Sequence, residues 1–424
     1  MEYTKRIADQ ILADKLESIG AVIIEGPKAC GKTTTAEQQA SSVLYMDDPQ
    51  KQEQYRQLAN TNITYLLEGK TPRLIDEWQE VPQFWDAIRF MVDHREGDGQ
   101  FILTGSAVPV KSDEIRHTGT GRYGWLKMRP MSLWESGESS GKVSLSELLL
   151  SPEVIAADNK LQLRDLAFLV CRGGWPKAVS KQTERAALMQ AKEYFKSIIS
   201  NDISRADGVQ RSSEYAHRLM RSYARHQGAQ VSISTILADI AVNESEDISN
   251  KTIESYLSAL RKIFVIEDMP AWNPNLRSKT AIRTSDTRYY IDSSIATAAL
   301  GLNPDDLIND LNTFGLLFET LCVRDLRVYA DALDGNIYHY RDKNGLECDA
   351  VLHLPNGSYG LIEIKLGGNK LIEEGAETLK NLQSIIDTTK MKEPSFMMVL
   401  IGVGNYAYRR TDGVYVVPIG CLKP

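Results

Sequence analysis

The sequence predicts an α/β protein in three parts: an N-terminal parallel sheet flanked by helices, a central helical and winged-helix region, and a C-terminal α/β domain. Three observations lead there. A glycine-bracketed loop lies between an apolar run and a helix-forming stretch near the start of the chain. Amphipathic helical patterns dominate the middle, from about residue 151 to about residue 265. Two Asn-Gly turns then separate three strand-like runs enclosed by helices. The boundaries follow as 1–150, 151–305 and 306–424, the first marked by a Ser- and Gly-rich stretch at 137–151.

A chain of 424 residues exceeds a single hydrophobic core, so more than one domain is required. Composition is ordinary for a globular protein, at 42% hydrophobic and 25% charged. The net charge of -7 excludes a protein that coats nucleic acid through bulk charge and leaves such a role to a local basic surface. The five cysteines (Cys30, Cys171, Cys322, Cys348, Cys421) are odd in number and include no Cys-x-x-Cys pair. That is thiol usage for a reducing compartment, without a disulfide framework or zinc site. No apolar run approaches the ~18 residues of a membrane span, and the start of the chain lacks a hydrophobic signal core. The expected location is the cytoplasm, with no membrane partner.

In the first domain, Ala21 to Ile24 reads as a buried strand and Thr33 to Ala40 as a helix. Between them Gly26, Pro27, Lys28, Ala29, Cys30, Gly31, Lys32 and Thr33 fit G-x-x-x-x-G-K-[ST] at every fixed position, and Thr34 continues the run. Successive backbone N–H groups of such a loop form a concavity for a polyphosphate, and the helix N-terminus adds partial positive charge. Lys32 is expected on the terminal phosphates of ATP and Thr33 on Mg2+. The apolar run at 72–75 ends in Asp76 and Glu77. Beside the first strand of a parallel sheet, Asp76 belongs near the magnesium shell and Glu77 where it polarises an attacking water. A third strand, 101–104, ends at Gly105-Ser106, where Ser106 holds that water, senses the γ-phosphate, or is simply part of a turn. Arg122, in a Gly-rich stretch, is either a charge stabiliser for phosphoryl transfer, in its own subunit or a neighbour's, or a surface arginine. These features predict a P-loop NTPase.

The middle region orders three helical patterns, at 211–225, 234–240 and 249–263, before strand-like runs at 264–266 and 288–291. This is the order of a winged helix-turn-helix. Arg211, Arg218, Arg221 and Arg225 are expected on one helix face, with Lys279, Arg283 and Arg288 where a wing lies. Basic residues do not clearly outnumber acids here, so DNA contact, a structural or protein-contact module and, for the arginine stripe, a solvated helix face all remain open.

In the last domain, Asn344-Gly345 and Asn356-Gly357 favour tight hairpins, which makes runs 336–341, 346–354 and 359–366 an antiparallel meander. Strand periodicity puts Glu347 and Asp349 on one face, and Glu363 with Lys365 on one face. Helices are expected at 314–330, carrying Glu319, and at 370–386. Helix, three strands, helix and strand is the core order of PD-(D/E)XK nucleases, whose signature is an Asp followed by E-x-K. Asp349 and Glu363 would hold Mg2+ through oxygen ligands, Glu319 would complete the shell, and Lys365 would orient a metal-bound water. Charged residues on an exposed sheet face are the competing explanation.

The chain resembles the prokaryotic AAA-type P-loop ATPases that carry a C-terminal domain of unknown function of the PD-(D/E)XK nuclease superfamily. The resemblance runs nearly end to end, through GPKACGKTT, LIDEWQEVP, FILTGSA, GRYGWLKMRPMSLWE, the turn at Gly173 to Pro176, FGLLFET, YRDKNGLECDAVL and LIEIKLGG. It implies ATP binding by Lys32 and Thr33, Asp76 and Glu77 as the acidic pair, and Arg122 near the nucleotide. It also implies Glu319, Asp349, Glu363 and Lys365 as the nuclease-like set. Lys28 stands where family members often have Arg, a point charge in place of a fork. The expected activity is Mg-dependent ATP hydrolysis controlling a nuclease-like domain that acts on nucleic acid, DNA rather than RNA, with a nucleotide-dependent homo-oligomer as a further expectation. The alternative is an ATP-driven switch or scaffold whose C-terminal domain binds without cutting.

Overall fold

The structure, a computed structural model, describes residues 3–105, 119–241, 249–273 and 285–424. The chain divides into two compact units. One comprises Met1–Pro130, Asn201–Gln210 and Ser258–Val265, and the other Met131–Ser200, Arg211–Leu257 and Ile266–Pro424.

The first unit is built on α1 (Ile7–Ser18), β1 (Ala21–Glu25), α2 (Lys32–Glu37), β2 (Ser42–Tyr45), β3 (Arg73–Asp76), α3 (Phe84–His94), β4 (Phe101–Gly105) and β5 (Tyr123–Lys127). The strands form one sheet in the order β2-β3-β4-β1-β5, and every neighbouring pair is parallel. β4 is buried along its whole length and β1 up to Ile24, which is why both read as continuous apolar runs without alternation. Ile23, Ile75, Phe84, Ile88, Phe101 and Leu103 meet in one core cluster. Because all strands run one way, Glu25, Asp76 and Gly105 end at the same sheet edge. α2 is shorter than its composition suggests. The chain leaves it at Gln38, and the Ser41 N–H then donates to the Pro72 carbonyl, which draws the segment into β2.

The second unit contains α4 (Leu163–Arg172), α5 (Glu184–Ser197), α6 (Ser213–Arg225), α7 (Ile233–Ala241), α9 (Ser293–Leu300), α10 (Leu311–Asp331) and α11 (Asn369–Ile385). Between α7 and α9 comes α8 (Asn250–Lys262), the helix at which the chain returns to the first unit. Its strands are β6 (Val143–Ser144), β7 (Ala157–Asp158), β8 (Asn336–Arg341), β9 (Glu347–His353), β10 (Tyr359–Gly367), β11 (Phe396–Val403), β12 (Tyr406–Arg409), β13 (Tyr415–Pro418) and β14 (Leu422–Lys423). The large sheet runs β7-β12-β13-β11-β10-β9-β8, with β8, β9 and β10 antiparallel and β11 returning parallel to β10 after α11. One face packs on α11 through Cys348, Val351, Leu361, Leu379 and Val399.

Two expectations for the middle of the chain are corrected. Arg211 precedes α6 rather than lying on its arginine face. It is buried, and its Nη2 donates to the Ser255 Oγ at 2.9 Å. Arg288 is an inward ion pair rather than part of an exposed wing, its Nη1 lying 2.9 Å from Asp268 Oδ2. The runs near 264 and 288 meet through isolated antiparallel bridges, Ile266 with Tyr290 and Met269 with Thr287. Lys279 and Arg283 lie outside the described residues.

Candidate functional site

The loop from Gly26 to Gly31 follows β1 at the carboxyl edge of the first sheet. Its shape depends on backbone conformations that favour glycine. Gly26 has φ 152°, Ala29 φ 62° and Gly31 φ 104°. A Cβ on Gly26 would lie 2.1 Å from the Met128 carbonyl oxygen, so no other residue fits there without displacing the chain after β5. α2 begins at Lys32, which points its N-terminal N–H groups into the same concavity. The Lys32 ammonium is buried and donates to the carbonyls of Gly26 and Pro27, each at 2.9 Å. It thus lies folded over the loop, where a polyphosphate would offer it stronger acceptors. The set of N–H groups, lysine and hydroxyl fits a nucleotide polyphosphate.

Thr33, Asp76 and Thr104 are drawn to one point from three elements. The Thr33 hydroxyl donates to Asp76 Oδ1 at 2.7 Å, and the Thr104 hydroxyl donates to the same oxygen. Burial raises the Asp76 carboxyl above its usual range, and the two hydroxyls oppose that shift. An oxygen-donor pair of this kind suits Mg2+. Glu77 follows with φ 53°, a left-handed turn at the strand end, and its half-buried carboxylate accepts from the Gln79 side-chain amide. Burial raises its carboxyl too, offset in part by Gln79. Gln79 Oε1 is buried without a hydrogen-bond partner among the described residues, and a Cβ on Gly105 would meet it at 2.6 Å.

Some placements were not legible in the sequence, and one contradicts it. Thr104, Gln79 and Arg6 are absent from the expected site. Arg6 is buried and donates to the carbonyls of Cys30 and Arg129, both at 2.9 Å, so it ties the loop to the segment after β5. Cys30 is buried within the loop. Arg122 is not near the nucleotide loop of its own subunit. It precedes β5, its carbonyl accepts from the Ala21 N–H at the amino end of β1, and its Nε pairs with Asp93 at 2.7 Å. That is the opposite sheet edge. Ser106 lies outside the described residues.

In the second unit Glu363 and Lys365 share a face of β10 and touch, with Lys365 Nζ 2.6 Å from Glu363 Oε2. Asp349 faces them from β9. The β9–β10 ladder runs to Ala350 and Ile362, and beyond it Asp349 Oδ2 accepts from the Ile364 N–H at 2.7 Å and from Lys365 Nζ at 3.2 Å. A side chain thus takes over where the ladder ends. Glu319, on α10, accepts a hydrogen bond from the Tyr289 hydroxyl. Burial and then the nearby Asp349 charge push both Glu319 and Glu363 upward. Burial would lower Lys365, but Asp349 and Glu363 outweigh it and hold the ammonium protonated. The expected three-carboxylate metal shell is corrected: among the described residues no group of three such side chains is placed to hold a metal ion. Lys365 bridges Asp349 and Glu363, and Tyr289 holds Glu319. Glu363 Oε1 nevertheless remains buried without a partner among the described residues, which fits a cation beside it.

A small cleft beside Glu319 and Asp349 is also lined by Gln230 and His339. His339 Nε2 lies 3.1 Å from the Ser285 carbonyl and Nδ1 3.1 Å from the Gln230 amide nitrogen, so the neutral ring is satisfied as donor and acceptor. Burial pushes its pKa down to about 4. The unfolded chain therefore takes up the proton first, and stability held above pH ~6.5 is lost as pH falls toward about 4, a difference of about 3 kcal/mol. Urea unfolding at pH 7 and pH 5 is expected to differ less in His339→Gln than in the parent; equal differences would exclude this histidine.

Three family models match consecutive stretches of the chain. Residues 18–136 match an AAA domain, 163–306 a domain of unknown function (DUF8612), and 314–422 a domain of unknown function (DUF4143). Uncharacterized proteins of Mycobacterium bovis and Mycobacterium tuberculosis are each 21% identical over 421 residues, covering 99% of this chain and 84% of theirs. An uncharacterized protein of Haemophilus influenzae is 24% identical over 234 residues, 55% of this chain and 53% of its own. Among solved structures, a Walker-type ATPase of Pyrococcus abyssi aligns with TM-score 0.42 and 14% identity over 69% of this chain and 94% of that one. Thermotoga maritima RuvB aligns with TM-score 0.26 and 14% identity, over 62% of this chain and 89% of that one. The N-terminal part of the chain is thus similar to AAA domains. No helix among the described residues is long and apolar enough to cross a membrane.

Proposed function

We propose that the protein is a Mg-dependent ATPase whose nucleotide state controls its C-terminal domain, which acts on nucleic acid, DNA rather than RNA. The observation that carries the ATPase part is the meeting of Thr33, Asp76 and Thr104 at the mouth of the phosphate loop. In this reading the loop N–H groups and Lys32 bind the polyphosphate, and Thr33 and Asp76 hold Mg2+. Glu77 orients water. The metal, when bound, supplies charge neutralisation at the transferring phosphoryl group. Calorimetry with Mg·ATP is expected to give binding that Lys32→Ala removes; equal heats from both proteins would end the proposal.

The nuclease part rests on Asp349, Glu363 and Lys365 standing within hydrogen-bond reach, with one buried Glu363 oxygen left for a cation. Asp349 and Glu363 would hold the ion, and Lys365 would stabilise charge on the phosphate being cleaved. With Mg2+ or Mn2+, Asp349→Ala and Lys365→Ala are each expected to lower cleavage of a DNA substrate at least about a hundredfold. Cleavage at parental rates by both variants would leave the ATP-driven switch or scaffold as the reading.

A further inference from the structure

Lys28 and Asp202 stand 174 positions apart in sequence, yet Lys28 Nζ lies 2.7 Å from Asp202 Oδ1. The two ends of the pair differ in setting. The Asp202 side chain is 8% exposed and that of Lys28 49%. Asp202 closes a π-helical stretch, Ile198–Asp202, that follows α5, and with Asn201–Gln210 it belongs to the compact unit of the phosphate loop. A π-turn is uncommon, and such turns recur at functional sites.

A buried carboxylate beside a loop shaped for anions opposes that use, because a phosphate and Asp202 repel each other. Lys28 eases the conflict while it faces the carboxylate. Its ammonium sits on a flexible four-carbon stem with rotatable donors, so it can turn from one acceptor to another. The pair is weak, since one partner is half-exposed, and a polyphosphate concentrates more negative charge than one carboxylate. Ligand and carboxylate therefore compete for one cation.

Resting on the ATP reading above, we propose that Asp202 is a nucleotide-sensing residue of the phosphate-loop site. It holds Lys28 in the absence of a terminal phosphate and yields it to a bound nucleoside triphosphate, which removes one tie of the segment that begins at Asp202. Asp202 acts through Lys28 and touches no reacting atom. A nucleoside diphosphate, shorter by one phosphate, competes less well for the lysine.

The test compares calorimetric affinities for Mg·ATP and Mg·ADP in the full chain, in Asp202→Asn and in Lys28→Met/Asp202→Asn, with amide hydrogen exchange over 202–210. Asp202→Asn is expected to tighten Mg·ATP about five- to tenfold and Mg·ADP much less, while the double variant loses this gain. In the parent, a non-hydrolysable ATP analogue is expected to speed exchange over 202–210. ATP affinity that is unchanged or weaker in Asp202→Asn, or parental exchange indifferent to the analogue, overturns the proposal and leaves the ATPase reading intact. No binding of Mg·ATP by the parent overturns both. The exchange measurement needs no variant, so it decides even if Asp202→Asn does not fold.

Discussion

Glu77→Gln is expected to bind Mg·ATP as the parent does and to hydrolyse it at least about a hundredfold more slowly, the loss usual when a positioned general base is removed. Three features support the expectation. Glu77 directly follows Asp76, whose carboxylate is committed to the Thr33 and Thr104 hydroxyls. Its left-handed backbone turns the chain out of β3, and the Gln79 amide holds its carboxylate. Burial raises its pKa, which makes a stronger base than an exposed carboxylate. The substitution keeps size and a hydrogen-bonding oxygen, so loss of turnover without loss of binding isolates the carboxylate itself. Phosphate release at saturating ATP, beside calorimetry on the same protein, reads both quantities. Undiminished release would remove Glu77 from the reaction and pass the role to another group.

What the sequence disclosed follows from how local each feature is. The phosphate loop was legible because its glycines, lysine and threonine act within one turn of chain and their spacing is covalent. The E-I-K triplet was legible for the same reason, since alternation along one strand places Glu363 beside Lys365. Asn-Gly turns set the hairpins that bring Asp349 to β10. Arg122 was misplaced because a Gly-rich loop with an arginine carries no sign of which sheet edge it occupies. One signal was present: Arg122 precedes a strand, and in a parallel sheet the residues before strands lie opposite the phosphate loop. Arg6, Thr104 and Tyr289 act through contacts between distant segments, which no local pattern encodes.

Arg324→Ala is expected to cost about 3–5 kcal/mol of stability, as for breaking a buried ion pair by removing one partner. Arg324, Asp292 and Asp325 are almost wholly inaccessible. The guanidinium donates to Asp292 Oδ2 at 2.8 Å and to Asp325 Oδ1 at 2.6 and 2.9 Å. The carboxylates in turn tie down distant chain. Asp292 accepts from the Gly174 N–H and Asp325 from the Leu133 N–H, both at 2.9 Å. Gly174 itself cannot carry a Cβ, which would lie 2.0 Å from the Met131 carbonyl. The Gly173 to Pro176 turn is therefore positioned from below by this node. Burial already raises Asp325 to about 6, with Arg324 opposing the shift. Without the arginine the Asp325 carboxyl moves higher, so the folded variant binds a proton that the unfolded chain releases, and its stability rises as pH falls. The deficit relative to the parent should thus be larger at pH 8 than at pH 6. Urea unfolding at both values checks the sign, and the triple change Asp292→Asn, Arg324→Met, Asp325→Asn should recover part of the loss, because it leaves no unpaired charge. A deficit below about 1 kcal/mol, the range of exposed pairs, would mean that water reaches these carboxylates.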